Sequence, residues 1–384
     1  MLQAAKEFKI GRPQVFAGLM LLAFLAQCLW SADNRRLSEL EYQYIAWGLP
    51  HEQQAAGVDP GLVSPMTAWT AALPVRLSRL VRNVTPASLG AALAIPRAWF
   101  LRLPFVVFGV WLGGALWWVA RRLFDDAGGY IALALYCSSP AMVMMSSNVG
   151  PEIILVWSSF GLIYTAIGVA HTLYAPPRKW APRVVILGLS IGFALATAWW
   201  SVVLVVLAFA FMIYLAPGRR RAILVVMLCA SVIALAVVGF FLWTAGGAGL
   251  GSPGLLSPRP TMAGLRNLGF ALNPETDGYV LIALFIAALT AYGSWRRARY
   301  FGNTAPLFTA FATVLLFALA PGLRLWVAAL GLGFLFLFIG GVAADLLEAS
   351  RGRLVAAVLT AAILLRVVLG LRSVWIYWIG QNPV

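Results

Sequence analysis

The chain has 384 residues, 62% of them hydrophobic and 11% charged, with a formal net charge of +15. A soluble domain carries about 25% charged residues, so this composition excludes a soluble globule. Apolar runs long enough to span roughly 30 Å of hydrocarbon as helices recur from end to end, and none shows the alternating ten-residue pattern of a β-barrel strand.

The charge does not point to nucleic acid, because most Lys and Arg sit in short clusters between apolar runs, as they do in cytoplasmic loops. Cys28, Cys137 and Cys229 all lie inside apolar runs and read as small core residues. His51 and His171 share no ligand spacing with other Cys or His, so no metal site is expected. Residues 1–13 are polar and the first apolar run lacks a clear small-residue cleavage site, so no cleavable signal peptide is expected.

Lys6, Lys9 and Arg12 precede the first apolar run, Val15 to Trp30, and place the N-terminus in the cytoplasm. A polar external loop follows, residues 32–102. Within it Leu73, Val75, Leu77, Leu80 and Val81 recur among Arg76, Arg79 and Arg82. That pattern fits a helix lying along the membrane surface or one packed on the bundle. Leu103 to Ala120 re-enters and ends on Arg121-Arg122. Gly128 to Ser147 goes out, and Pro151 to Leu173 returns to the basic turn Arg178, Lys179, Arg183.

Val184 to Leu215 reads as two short helices meeting at Ala198-Trp199-Trp200-Ser201, placed at the external interface where Trp belongs. After Arg219-Arg220-Arg221, the run Ala222 to Trp243 goes out to a second external loop, residues 245–278. Tyr279–Tyr292, Pro306–Ala320, Leu325–Val342 and Leu354–Leu371 complete the chain. The expectation is a single all-α polytopic membrane domain over 1–384, with eleven spans, a cytoplasmic N-terminus and an external C-terminus. Its location is a bacterial-type inner membrane.

Of thirteen acidic residues, eight fall on the external side in this topology: Asp33, Glu39, Glu41, Glu52, Asp59, Glu152, Glu275 and Asp277. Asp125, Asp126, Asp345 and Glu348 sit beside arginines at cytoplasmic helix ends and read as interfacial pairs. Glu152 stands at a helix mouth. It serves either as a carboxylate favoured by the helix dipole or as a site residue facing a cavity. Arg366 lies inside the last span, where it snorkels, binds an anionic lipid head, or pairs with Glu152.

Several of these stretches together resemble the GT-C superfamily of membrane glycosyltransferases, in its aminoarabinose-transferase and protein O-mannosyltransferase branch. Leu40-Glu41-Tyr42-Gln43-Tyr44-Ile45-Ala46-Trp47 is similar to that family's loop opening. Leu101-Arg102-Leu103-Pro104 and Ala120-Arg121-Arg122-Leu123-Phe124 match its helix start and cytoplasmic turn, and Gly150-Pro151-Glu152 stands where the family has a Pro-Asp helix mouth. The resemblance covers roughly Leu22 to Leu215. It implies a GT-C-like bundle, a polyprenyl-phosphate sugar donor and an external acceptor.

The departures fall on the polar positions. The loop-opening Asp of the family reads Leu40, its His-Pro-Pro reads Ser64-Pro65-Met66, and a Lys after the fifth helix reads Ala198. A general base must be titratable and within hydrogen-bond reach of the acceptor, and Leu is neither. The leading expectation is therefore a catalytically degenerate member, acting as an accessory subunit of a membrane complex or as a lipid-binding protein. A cavity no longer needed for chemistry would then be filled by side chains or a resident lipid.

The alternative is an active glycosyltransferase with Glu41 or Asp33 as base and Glu152, Arg102 and Arg366 on the donor phosphate. A transporter is disfavoured by the scarcity of polar residues in the spans and the lack of an evident inverted repeat. Membrane lipids and membrane-protein partners are expected, with no cofactor beyond a bound lipid or polyprenyl phosphate.

Overall fold

A computed structural model describes residues 11–49, 64–82, 98–244, 278–295, 299–319, 326–349 and 353–381. Most of the second external loop, and residues 50–63 and 83–97 of the first, lie outside the described residues. Among the described residues there are thirteen α-helices and no strand. They are α1 (Arg12–Asp33), α2 (Glu39–Trp47), α3 (Pro65–Arg82), α4 (Ala98–Cys137), α5 (Pro140–Ser146), α6 (Pro151–Thr172) and α7 (Pro177–Thr197). Then come α8 (Val202–Leu215), α9 (Arg220–Thr244), α10 (Gly278–Ser294), α11 (Phe301–Leu319), α12 (Trp326–Ala349) and α13 (Arg353–Gln381). In lipid a helix satisfies its own backbone, which is why so apolar a chain takes this form.

Each of the eleven expected spans overlaps a described helix: α1, the two arms of α4, and α6 to α13. By length and apolarity seven described helices are able to cross a bilayer, namely α1, α4, α6, α7, α9, α12 and α13, while α8 and α10 are shorter apolar helices. The helix α4 is a hairpin rather than a rod. Its backbone leaves helical geometry at Phe124 and Asp125, and Tyr136 Oη donates back to Gly109 O at 2.6 Å. Asp125 takes φ 59° and ψ −168°, a region that strains any residue but glycine. This allows the chain to reverse beside Arg121, which pairs with Asp126.

The expected continuous span Gly128–Ser147 is broken. The second arm of α4 ends at Cys137 and the short α5 begins at Pro140. Pro140 has no N–H to continue the helix. Ser138 Oγ turns back to Ala134 O at 2.8 Å, and Ser139 Oγ caps α5 by accepting from Met142 N. By contrast, Val184–Leu215 does divide in two, with Ala198 extended and a 3-10 turn at Trp199–Ser201. Trp200 there is buried in the protein and Trp199 is half-buried.

The amphipathic helix α3 is packed on the bundle. Met66, Ala68, Ala71, Ala72 and Val75 are buried on the side turned to α2, α4, α7 and α9. Ser64 Oγ accepts from Thr67 N, capping α3, and donates to Ala196 O at 3.2 Å. The position of the family's His thus holds a helix cap and a tie to α7.

Helices α7 and α9 run parallel. A Cβ on Gly188 would meet Ala230 and Ile233, and one on Gly192 would meet Ala234 and Val237, each partner advancing by four with the glycine. Small residues let helix backbones approach where no hydrophobic force drives them together. On the other side, α12 packs against α4, α6 and α11.

Candidate functional site

Two of the polar residues expected to matter, Glu41 and Arg102, meet where α1 ends and α2, α4 and α6 begin. The local sequence explains the geometry. Ser38 and Glu41 form a capping box at the start of α2: Glu41 N donates to Ser38 Oγ, and Ser38 N donates to Glu41 Oε2 at 2.8 Å. That reciprocal pairing turns the Glu41 carboxylate back toward the end of α1, where Arg102 meets it from the second turn of α4.

Arg102 is fully buried, and all five of its N–H donors are used. Nε donates to Glu41 Oε1 at 2.9 Å and Nη2 to Glu41 Oε2 at 2.8 Å, a bidentate pair. Nη1 donates to Ala32 O and Arg35 O at 2.7 and 2.8 Å, and Nη2 also to Arg36 O at 3.0 Å. Glu41 is equally occupied, because Oε1 accepts Val149 N at 2.9 Å as well as Arg102 Nε. With two donors on each oxygen the carboxylate is filled.

Burial alone pushes the Glu41 carboxyl up. Arg102, by hydrogen bond and charge, together with the N–H groups of Ser38 and Val149, outweighs that and holds it below its usual value. The group is an ionised structural anchor.

A second arginine completes the junction. Arg35 Nε donates to Ser31 O at 3.3 Å, and its Nη2 donates to Ser147 O and Oγ at 3.2 and 3.0 Å and to Asn148 Oδ1. Arg35 and Glu41 together stitch the segment after α1 to residues 147–149, which lead into α6. Arg35, Ser147 and Asn148 did not stand out in the sequence. The Ser-x-x-Glu spacing of Ser38 and Glu41 is the signal that could have marked Glu41 as a cap.

The other expected site residues stand apart from this pair. Asp33 is exposed on the last turn of α1. Leu40, at the family's Asp position, is 39% exposed. Glu152 is half-buried in the first turn of α6, three residues beyond Val149. Its carboxylate folds back over Gly150, into the space a side chain there would take. Arg366 is buried on α13, where Nη1 lies 3.5 Å from Ser138 O at the α4–α5 break. Glu41 and Arg102 are brought together as one unit, and Arg366 serves a different junction. Among the described residues no three His, Cys, Asp or Glu side chains converge to hold a metal.

Beside the start of α4 lies an apolar groove of about 910 Å³ between α3, α4, α7 and α9. Trp69, Leu73, Phe108, Phe193, Val237 and Phe241 are among the side chains that line it. Trp69 meets Phe241 edge to face at 5.6 Å. Such a groove suits an apolar chain rather than a sugar.

Residues 86–243 match the family described as dolichyl-phosphate-mannose-protein mannosyltransferase. No curated protein matches the chain. Among solved structures, ArnT from Cupriavidus metallidurans in the apo state aligns with a TM-score of 0.61 at 15% identity, covering 96% of this chain and 75% of that one. The same protein bound to undecaprenyl phosphate aligns with a TM-score of 0.61 at 14% identity over the same shares. The apo oligosaccharyltransferase of Archaeoglobus fulgidus aligns with a TM-score of 0.55 at 14% identity, and this chain spans 56% of its length. By its apolar helices the chain is an all-α membrane protein, with a fold similar to these solved structures and a family match confined to residues 86–243.

Proposed function

We propose that this protein binds a polyprenyl-phosphate-type lipid without transferring a sugar from it. The observation that carries the reading is the saturation of Glu41. It is a buried carboxylate, it accepts four hydrogen bonds, and two of them come from an arginine whose own donors are all spent. A general base must present a free lone pair to the acceptor, and Glu41 presents none. The neighbouring position holds Leu40. The apolar groove supports the lipid half of the proposal, as does a structural neighbour solved with undecaprenyl phosphate. In this reading the Glu41–Arg102 end faces outward and the basic turns face the cytoplasm.

One feature favours the enzyme reading: Glu152, a half-buried carboxylate at a helix mouth. The test uses the full chain in vesicles. Undecaprenyl phosphate binding is titrated, and sugar release from a panel of polyprenyl-phosphate sugars is followed in parallel. Saturable binding with no turnover is expected. Turnover abolished by Glu152→Gln in a folded variant would establish the transferase instead. For the orientation, a cysteine replacing Arg178 in a background without native cysteines should resist an impermeant thiol reagent in intact cells, and one replacing Asp33 should react.

A further inference from the structure

The turns before α7 and before α9 are far apart in sequence yet share one end of the bundle. The 22 residues of α6 carry the chain about 33 Å away from the Glu41 level, and α7 begins there. Because α7 and α9 run parallel, α9 begins there too, and their register sets Arg178 and Lys179 near the level of Arg221. Arg219 Cζ lies 5.4 Å above the ring of Tyr174, joining the two turns directly. Arg178, Lys179, Arg219, Arg220 and Arg221 are all exposed. Arg183 has another task, donating to Gly168 O at 2.8 Å near the end of α6.

No opposing charge comes with them. From residue 153 to 274 the chain contains no Asp or Glu. Carboxylates at this end sit on α4 and α12, where Asp126 pairs with Arg121 and Asp345 accepts from Asn303. An apolar stripe continues from the cations along the same two helices: Val185, Ile186, Leu224, Val225 and Leu228 are all exposed.

We propose that this surface binds an anionic phospholipid, with the headgroup phosphate held by the two basic turns and the acyl chains lying along the stripe. Arginine pairs with phosphate through two parallel N–H bonds, and the Tyr174 ring holds Arg219 by a cation–π contact. A free phosphate would use the cations and leave the stripe unused. The inference does not depend on whether sugar transfer survives, because it concerns the opposite end of the molecule.

The test is photo-crosslinking of the full chain in phosphatidylcholine vesicles doped with a photoactivatable phosphatidylglycerol. Crosslinks are expected within residues 174–186 and 219–228. They should fall several-fold in the Arg219→Gln/Arg220→Gln/Arg221→Gln variant and less in Tyr174→Ala, but persist in the Arg121→Gln/Arg122→Gln control. An unchanged unfolding temperature shows that the loss is not misfolding. Should the triple variant fail to fold, Arg219→Gln alone takes its place, with the same direction expected. Equal labelling by a phosphatidylcholine probe, undiminished labelling of the variant, or displacement by excess inorganic phosphate would overturn the proposal.

Discussion

Two of the arginine–carboxylate pairs among the described residues differ mainly in where they sit. Arg102 and Glu41 are buried, with side chains 1% and 6% exposed, while Arg121 and Asp126 are 34% and 49% exposed. The buried pair is surrounded by further partners, and every donor of Arg102 and each oxygen of Glu41 is filled. The exposed pair joins one nitrogen to one oxygen at the hairpin tip of α4. Removing charges from water is expensive, and their mutual attraction offsets that only when the remaining hydrogen bonds are also made. An exposed pair stays hydrated, is screened by salt and contributes little. The difference teaches that a carboxylate in a polar loop is no more catalytic for being buried and charged. When its partners close around it, it is part of the frame.

The contrast can be broken by mutation, beginning at the buried pair. Arg102→Met leaves an unpaired buried carboxylate and frees three backbone carbonyls. It should destabilise the protein by about 3–5 kcal/mol, read as loss of folded protein in a detergent melt. A variant of near-wild-type stability would mean that the junction is not a frame.

Glu41→Gln keeps the shape but loses the charge and turns one oxygen into a donor facing donors. It should cost about 1.5–3 kcal/mol and leave lipid binding intact once folded. The pH dependence sharpens this point. Glu41 has a lowered carboxyl value when folded, so its contribution is fully present above the unfolded value near 4.3. It is lost as pH falls through the lower folded value. The wild-type melting temperature should drop on acidification in that range, and the Glu41→Gln variant should drop less. Equal acid slopes would remove Glu41 as the cause.

Glu152→Gln tests the carboxylate beside the junction. If it only complements the start of α6, the cost is about 0.3–1 kcal/mol, with undecaprenyl phosphate affinity unchanged in the same titration. The smallest effect is expected at the exposed pair, where Arg121→Gln should cost no more than about 1 kcal/mol, and less at high salt. A larger loss would show that the tip of α4 is sealed against α12 more tightly than its exposure indicates.

Much of this was legible before any coordinates. The helical runs follow from long apolar stretches bounded by Arg and Lys, because lipid imposes helix on each run; where eleven spans are expected, seven described helices are long and apolar enough to cross. The division of 184–215 could be read the same way. The break at Ser138-Ser139-Pro140 was written in the sequence as well, but it was hidden inside an apolar stretch that reads as one continuous span. Glu41 stands out in the sequence as a carboxylate in the loop, a candidate base only under the alternative reading of an active transferase. Its capping-box spacing marked it as bound to its own backbone.

What the sequence determined by itself was local or compositional: helix in every apolar run, polar caps at Ser38, Ser64 and Ser139, and a likeness to one superfamily carried by short motifs. What only the tertiary structure decided was which polar groups meet. Arg102 reaches across 61 positions to Glu41, and Glu41 across 108 to Val149 N. Arg219 lies over Tyr174 because α6 carries one turn to the end where α9 begins. A charge has no sequence period, so its partner is set by helix packing and register. The same packing decides whether its lone pairs remain open for chemistry or are filled by the frame.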